Sequence, residues 1–436
     1  MRLVKRLSQI NLVGQIWART PPSLVAGTAA ALRFGTAVAR RPIRLRRYDL
    51  SAPDGRPPGR LIVADHGLRV AELLQDEWDG IASSGRHVAR LLWPGVPGAL
   101  DRLAPHADLV VARFHARLGR RRFDDRYIRV PEAVDSRAAV PADGSIPPQA
   151  RRGQGGNLRV LRKANLRWEL SHRPEDFARF YHDMYVPFTR ARFGEFADVR
   201  SFQYVRTGFL RGGLMWILDG DIPVAGAIYS IEDGALVSWV GGTAGGDINL
   251  LKRGVAPAMD VFSFQLAREL GVDEYDMAMS RPVLNDGVLA YKKRWGAAVR
   301  GGQLTYCNFY LRWDRFNRHV ARILARTPLL IHDGDKLSGL VVRDEPFAHD
   351  QLDRLAVEFA MPGIRRLYVM LPDLDEPRRP QLTDPRVREL DLRLLPGVSS
   401  QRFTRMMSTL DESPTASEPP RPAAPHAAPR GEPLSM

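Results

Sequence analysis

Residues 280–297 read SRPVLNDGVLAYKKRWGA. Ser280 and Arg281 precede a proline turn, Asn285-Asp286-Gly287 makes a second turn, and Tyr291, Lys292, Lys293, Arg294 and Trp295 follow in one run. A lysine aimed at developing negative charge can lower a barrier by several kcal/mol in a preorganised site. Asp286 is a carboxylate near enough in sequence to serve as general base or to hold an amine acceptor. Arg281 has the fork geometry that suits phosphate or carboxylate, and Ser280 shares its strand end. Each has a plainer reading. Asn-Asp-Gly needs only turn chemistry, Arg281 can be half of a salt bridge, and Lys292 and Lys293 can be surface residues beside a core Trp295, with Lys293 left to solvent.

A second stretch, GGTAGGDINLLKRGVA (241–256), leaves an apolar run and opens a helical one. Backbone N–H groups at a helix start, backed by Lys252 and Arg253, make a seat for phosphate or pyrophosphate. Strand-to-helix connections also use glycine with no ligand at all. Other chemistries are excluded. The single cysteine, Cys307, permits no intrachain disulfide and no cysteine-based metal site, and the ten histidines form no HxH or HxxxH pair, so no metal is expected. Cys307 has no suggested His or Asp partner and is not expected to be a nucleophile.

The elements that must carry these residues follow from pattern. The 436 residues suffice for two or three domains. The net charge is +15, and residues 1–60 alone contribute +10 from twelve Arg or Lys against Asp49 and Asp54. That arm can face nucleic acid, anionic lipid or an anionic substrate, and it reads as helical, ending in the turn-rich 51–60. No apolar run reaches the roughly 18 residues of a membrane span; Ser23–Ala39 is interrupted by Arg33. The expectation is a cytoplasmic protein with peripheral membrane contact through the arm as an option.

Residues 61–65 and 108–114 read as strands with a helix over 69–78 between them, and 126–131 as a third strand. Residues 136–156 read as a linker. PEDFARFYHDMYVPF (174–188) sets Phe177, Tyr181, Met184 and Phe188 on one helical face. Residues 213–242 hold three apolar runs parted by DGD and EDG, a strand meander. Residues 258–270 form a helix with Met259, Phe262, Leu266 and Leu270 inward. Strands follow at 272–279 and 303–313. After 320 the chain forms a small α/β unit, with strands at 337–344, 365–372 and 386–395 and a helix at 350–360. Residues 411–436 are a Pro/Ala-rich tail expected to be disordered.

This order, with FYHDMYVPFTRARFGEFA (180–197), IPVAGAIYS (222–230), the run 254–277 and SRPVLNDGVLAYKKRWGA (280–297), resembles the FemAB-like branch of the GNAT N-acyltransferase superfamily. The branch ends with an aromatic-Lys pair and then an aromatic-Gly pair, matched by Tyr291-Lys292 and Trp295-Gly296. The resemblance covers about residues 60–313 and implies an α/β (α+β) fold of tandem GNAT-like lobes with mixed central sheets. The domains are then a basic arm (1–60), a first lobe with linker (61–156), a second, acyltransferase lobe (157–319), the small C-terminal unit (320–410) and the tail (411–436).

It implies an acyltransferase acting on an amine or hydroxyl of a sugar, sugar nucleotide or envelope precursor, with acyl-CoA as co-substrate and no metal. Lys292 then stabilises charge near the donor carbonyl or an acceptor phosphate, with Tyr291 beside it. Arg192 matches the branch's Arg-x-Gly through Arg192 and Gly194. The coenzyme A loop of the superfamily, Gln/Arg-x-x-Gly-x-Gly/Ala, maps onto Leu251-x-x-Gly254-x-Ala256, so its first polar position is missing here. Two alternatives stand: an aminoacyl-tRNA donor, which the basic arm and the altered loop favour, and a non-catalytic component of a membrane-associated polysaccharide assembly.

Overall fold

The computed structural model describes residues 42–50, 58–66, 69–74, 85–123, 125–143, 145–301, 307–344 and 351–412. The basic arm over 1–41 and the tail over 413–436 lie outside them. The first part contains β1 (Ile43–Leu50), β2 (Gly59–Asp65), α1 (Arg69–Leu73), β3 (Arg86–Leu91), α2 (Val96–Leu103), β4 (Leu109–His115), α3 (Ala116–Phe123) and β5 (Ile128–Pro131). The second contains β6 (Val134–Ala139), α4 (Pro148–Gly153), α5 (Gly155–Ala164), β7 (Leu166–Ser171), α6 (Pro174–Phe180), α7 (Val186–Phe193) and α8 (Phe202–Arg211). It continues through β8 (Gly212–Asp219), β9 (Ile222–Glu232), β10 (Ala235–Thr243), α9 (Ala256–Glu269), β11 (Glu274–Ser280), α10 (Gly287–Arg294) and β12 (Ala298–Gly301). The chain closes with β13 (Cys307–Arg312), α11 (Arg318–Arg326), β14 (Leu329–Asp333), β15 (Lys336–Val342), α12 (Leu352–Phe359), β16 (Ile364–Leu371), β17 (Asp391–Pro396) and α13 (Ser400–Glu412).

The fold is α/β with three mixed sheets, ordered β3-β1-β2-β4-β13-β5, β12-β6-β11-β10-β9-β8-β7 and β14-β15-β16-β17. Mixed central sheets were expected; three local readings are corrected. Residues 43–50, read as part of a helical arm, are strand β1. Ile43 and Leu45 enter the core on one side and Tyr48 and Leu50 the core on the other, so a period of two wins where both faces are covered. The linker read over 136–156 is structured: β6 pairs with both β11 and β12, and α4 and α5 follow. Small buried Ser136 and Ala138 gave that strand too little apolar signal. β13, read as the last strand of the second lobe, returns to the first sheet between β4 and β5.

The meander β8-β9-β10 stands where the turn signals put it. Phe177, Tyr181, Met184 and Phe188 are all buried, as read. Their helix widens into a π-turn over Tyr181–Tyr185 before Pro187, which has no N–H to give. Gly242 of β10 lies against that turn: a Cβ there would sit 2.7 Å from Met184 and Tyr185 backbone atoms. In α9, Phe262 and Leu266 face inward but Leu270 is 40% exposed, and the buried side is broader than four residues, taking in Asp260, Phe264 and Ala267.

The C-terminal sheet is not a separate body. Val320, Ile331, Tyr368 and Phe403 share one apolar cluster with Leu61, Val63, Leu109 and Trp313 of the first sheet's side. Leu337, Leu355 and Leu367 share another with Val134, Leu289 and Val299 of the second. Trp313 donates its Nε1–H to Val398 O at 2.7 Å. Deleting residues 320–436 therefore uncovers two cores at once. At about 1.5–3 kcal/mol per large apolar side chain uncovered, the loss exceeds a typical net stability of 5–15 kcal/mol. The truncated chain is expected to aggregate without a cooperative thermal transition; a soluble fragment melting like the full chain would refute this.

Candidate active site

β10 and β11 run parallel, but they pair only from Ala235 to Val237 against Glu274 to Asp276. Beyond that, no pairing joins them among the described residues. β10 continues to Thr243 with residues 237–241 only half-buried, and β11 continues to Ser280. The two strands open as a wedge toward their carboxyl ends, and each ends in a buried hydroxyl, Thr243 or Ser280, with no hydrogen-bond partner among the described residues. Backbone N–H and C=O groups without a ladder partner invite one from a ligand.

β11 carries a bulge between Asp276 and Met279 where it pairs with β6. Ala278 takes φ +63, a left-handed conformation that a β-carbon disfavours. Asp276 holds this corner, accepting from Ala278 N at 2.9 Å and from Arg137 Nε at 3.0 Å. The bulge aims the Ala278 and Met279 carbonyls at Lys292, whose Nζ donates to them at 2.7 and 3.0 Å. Lys292 is only 5% exposed. It neither lies on the surface nor swings freely toward a ligand; one of its three N–H donors remains unassigned. Burial pulls its pKa down to about 8, against the charges of Asp276, Asp260, Asp286 and Asp135.

Asp260 of α9 was not read from the sequence. It is 7% exposed and accepts from the Tyr275 hydroxyl at 3.1 Å and from the Tyr291 hydroxyl. Burial pushes its carboxyl up to about 6, despite the two hydroxyls and Lys292. A carboxylate inside the apolar run AMDVFSF was the available signal. Tyr291 is half-buried, packed edge-on to Trp295 and under Arg294; desolvation and Asp260 hold its hydroxyl far above the ordinary range.

The other expected residues divide. Arg192 lies toward this cluster, with its guanidinium over Phe188 and Phe193. Desolvation lowers its pKa, opposed by Tyr291 and Asp286. Asp286 is buried as the cap of α10, accepting from Val288 N and Leu289 N through Oδ1. Its Oδ2 accepts from Arg281 at 2.9 Å. Arg281 also donates to Glu72 O at 3.1 Å, tying α1 to α10. Both are already engaged, so the general-base reading of Asp286 and the phosphate reading of Arg281 give way to the turn and salt-bridge readings. Lys293 is not left to solvent: its Nζ donates to Val357 O and Glu358 O at the end of α12.

The Gly-rich loop is not an open phosphate seat. Residues 251–255 form a π-turn in which Gly254 takes φ +102, and a Cβ there would lie 3.3 Å from Ala164 Cβ and Leu161 Cα of α5. Helix α5 covers it. Asp247 already accepts from Asn249 N at 2.8 Å. Lys252 and Arg253 are exposed, Arg253 within 3.8 Å of Asp219. Ala256 is half-buried at the start of α9. None of these four makes a hydrogen bond to the Lys292 cluster among the described residues.

No family model matches the sequence, and no curated protein matches it. FemX is among the solved structures that match: 11% identity, TM-score 0.33, covering 69% of this chain and 95% of that one. L-PGS from Bacillus licheniformis matches at 11% identity and TM-score 0.29, covering 62% and 83%. A GCN5-related N-acetyltransferase from Sphaerobacter thermophilus matches at 13% and 0.28, covering 62% and 80%. At these scores no function passes from them to this chain.

Asp260 gives a pH test of the cluster. Its carboxyl titrates near 3.8 when unfolded and about 6 when folded. The folded state binds the proton more tightly, so this group's contribution is fully present below the unfolded value and is lost as pH rises to about 6. At 1.4 kcal/mol per unit that is about 3 kcal/mol. Asp260→Asn should remove this fall, so that in urea unfolding the stability at pH 7 relative to that at pH 4 rises by about 3 kcal/mol over the wild type; an unchanged value would refute the assignment.

Proposed function

We propose that the protein is an acyltransferase of the FemAB-like GNAT kind, passing an acyl group to an amine. The observation that carries this is the wedge between β10 and β11, with Lys292 and the Tyr291–Asp260 pair at its side. An acyl donor with amides in its arm can complete the unpaired edge of β10 as an added strand does. The amine attacks the donor carbonyl carbon, the C–N bond forms, and the bond to the leaving sulfur or oxygen breaks. The amine's proton passes to the Tyr291 oxygen as the Tyr291 proton moves to Asp260, and the leaving group takes a proton back. Protonated Lys292 offsets the oxyanion charge, and Ser280 supplies a free hydroxyl nearby.

Acyl-CoA is the donor we propose, with the acceptor a sugar-linked or envelope amine. A second reading, an aminoacyl-tRNA donor, is favoured by the covering of Gly254 by α5, which removes the usual diphosphate seat.

With either donor and a panel of amines, the rate is expected to rise as Asp260 ionises near pH 6 and to fall as Lys292 loses its proton near pH 8. Lys292→Met should lower kcat by about 10²–10³ with little change in donor KM. Full turnover by that variant would rule out the proposed site.

A further inference from the structure

From Ser145 to Trp168 the sequence carries six Arg or Lys and no Asp or Glu. Arg151 and Arg152 lie on α4 and Arg159, Arg162 and Lys163 on α5, all exposed. Among the described residues Arg152, Arg159, Arg162 and Lys163 form no ion pair; Arg151 acts on the exposed Asp143. Arg159, Arg162 and Lys163 stand three and four positions apart, so they share one helical face and repel one another. The opposite side of α5 is fixed: Leu158 and Leu161 pack on the second lobe's core. The core takes up the inner face of α5, and among the described residues no ion pair engages Arg159, Arg162 or Lys163 on the outer one.

Val160 of α5 is 39% exposed, and Ile248, which leads into the π-turn covered by α5, is 44% exposed. Cations interleaved with exposed aliphatic side chains match an anionic bilayer surface, where charge attracts and aliphatic groups enter the headgroup boundary. A single-stranded polynucleotide would call for aromatic stacking platforms, and residues 145–167 contain no aromatic side chain. No helix among the described residues is long and apolar enough to cross a membrane. We infer that the outer face of α4 and α5 is a peripheral docking surface for anionic lipid. It lies one layer from the site: Gln154 donates to Tyr291 O at 3.4 Å, and Gly153 abuts Arg294. The inference rests on charge and exposure and stands whichever reaction the wedge performs.

The test is co-sedimentation of the full chain with vesicles of phosphatidylcholine alone or mixed with phosphatidylglycerol, at two salt concentrations. Each cation near an anionic surface is worth about fivefold in partitioning, so R159E/R162E/K163E should weaken binding to the mixed vesicles more than tenfold. R159Q/R162Q/K163Q, which only neutralises charge, should fall between that variant and wild type. Val160→Ser should weaken binding severalfold with the salt dependence unchanged. Undiminished binding by both triple variants would move the interaction elsewhere on the chain and overturn the inference. So would salt-sensitive retention of total tRNA, lost in the triple variants, with no vesicle binding by the wild type; the face would then serve nucleic acid.

Discussion

The second lobe is organised by two parallel strands that pair for three residues and then separate. Each must find other partners for its backbone or leave it for a ligand. β11 turns to β6, and the mismatch appears as a bulge with Ala278 in a left-handed conformation, a strain of about 1–3 kcal/mol. Lys292 closes the exposed carbonyls and is buried to do so. A bulge, a strained alanine, a buried lysine and a buried aspartate all fall within one cluster. Costs concentrated in this way are the pattern that functional sites share.

That geometry depends on parts far from it in sequence. Helix α10, which carries Tyr291 and Lys292, is fixed at its start by Asp286 and Arg281, which reaches α1 of the first lobe. At its end Lys293 grips the last carbonyls of α12, where a cation also complements the helix dipole. The C-terminal sheet shares apolar clusters with both lobes. The first lobe and the C-terminal unit thus set where Lys292 points.

Much of this was legible in the sequence. The meander showed in its two turns and the helix 174–188 in its spacing. What escaped depends on distant partners. β1 looked helical because its arginines masked a period-two strand, and β6 read as linker because Ser136 and Ala138 are small. The return of β13 to the first sheet is a long-range pairing that no local pattern records. Asp260 left only one signal, a carboxylate in an apolar run, whose meaning appears only when Tyr275 and Tyr291 arrive from other elements. The Gly-rich loop misled for the opposite reason: its local signal was sound, but α5, folded from the supposed linker, covers it.

The most direct test of the account is amide hydrogen exchange of the full chain, with and without a bound acyl-CoA or aminoacyl-tRNA donor. Slowed exchange concentrated in residues 238–243 of β10 is the predicted result, because the donor would supply the hydrogen bonds that the parted edge of this strand lacks. Protection confined to residues 251–256, with that strand end unchanged, would contradict it.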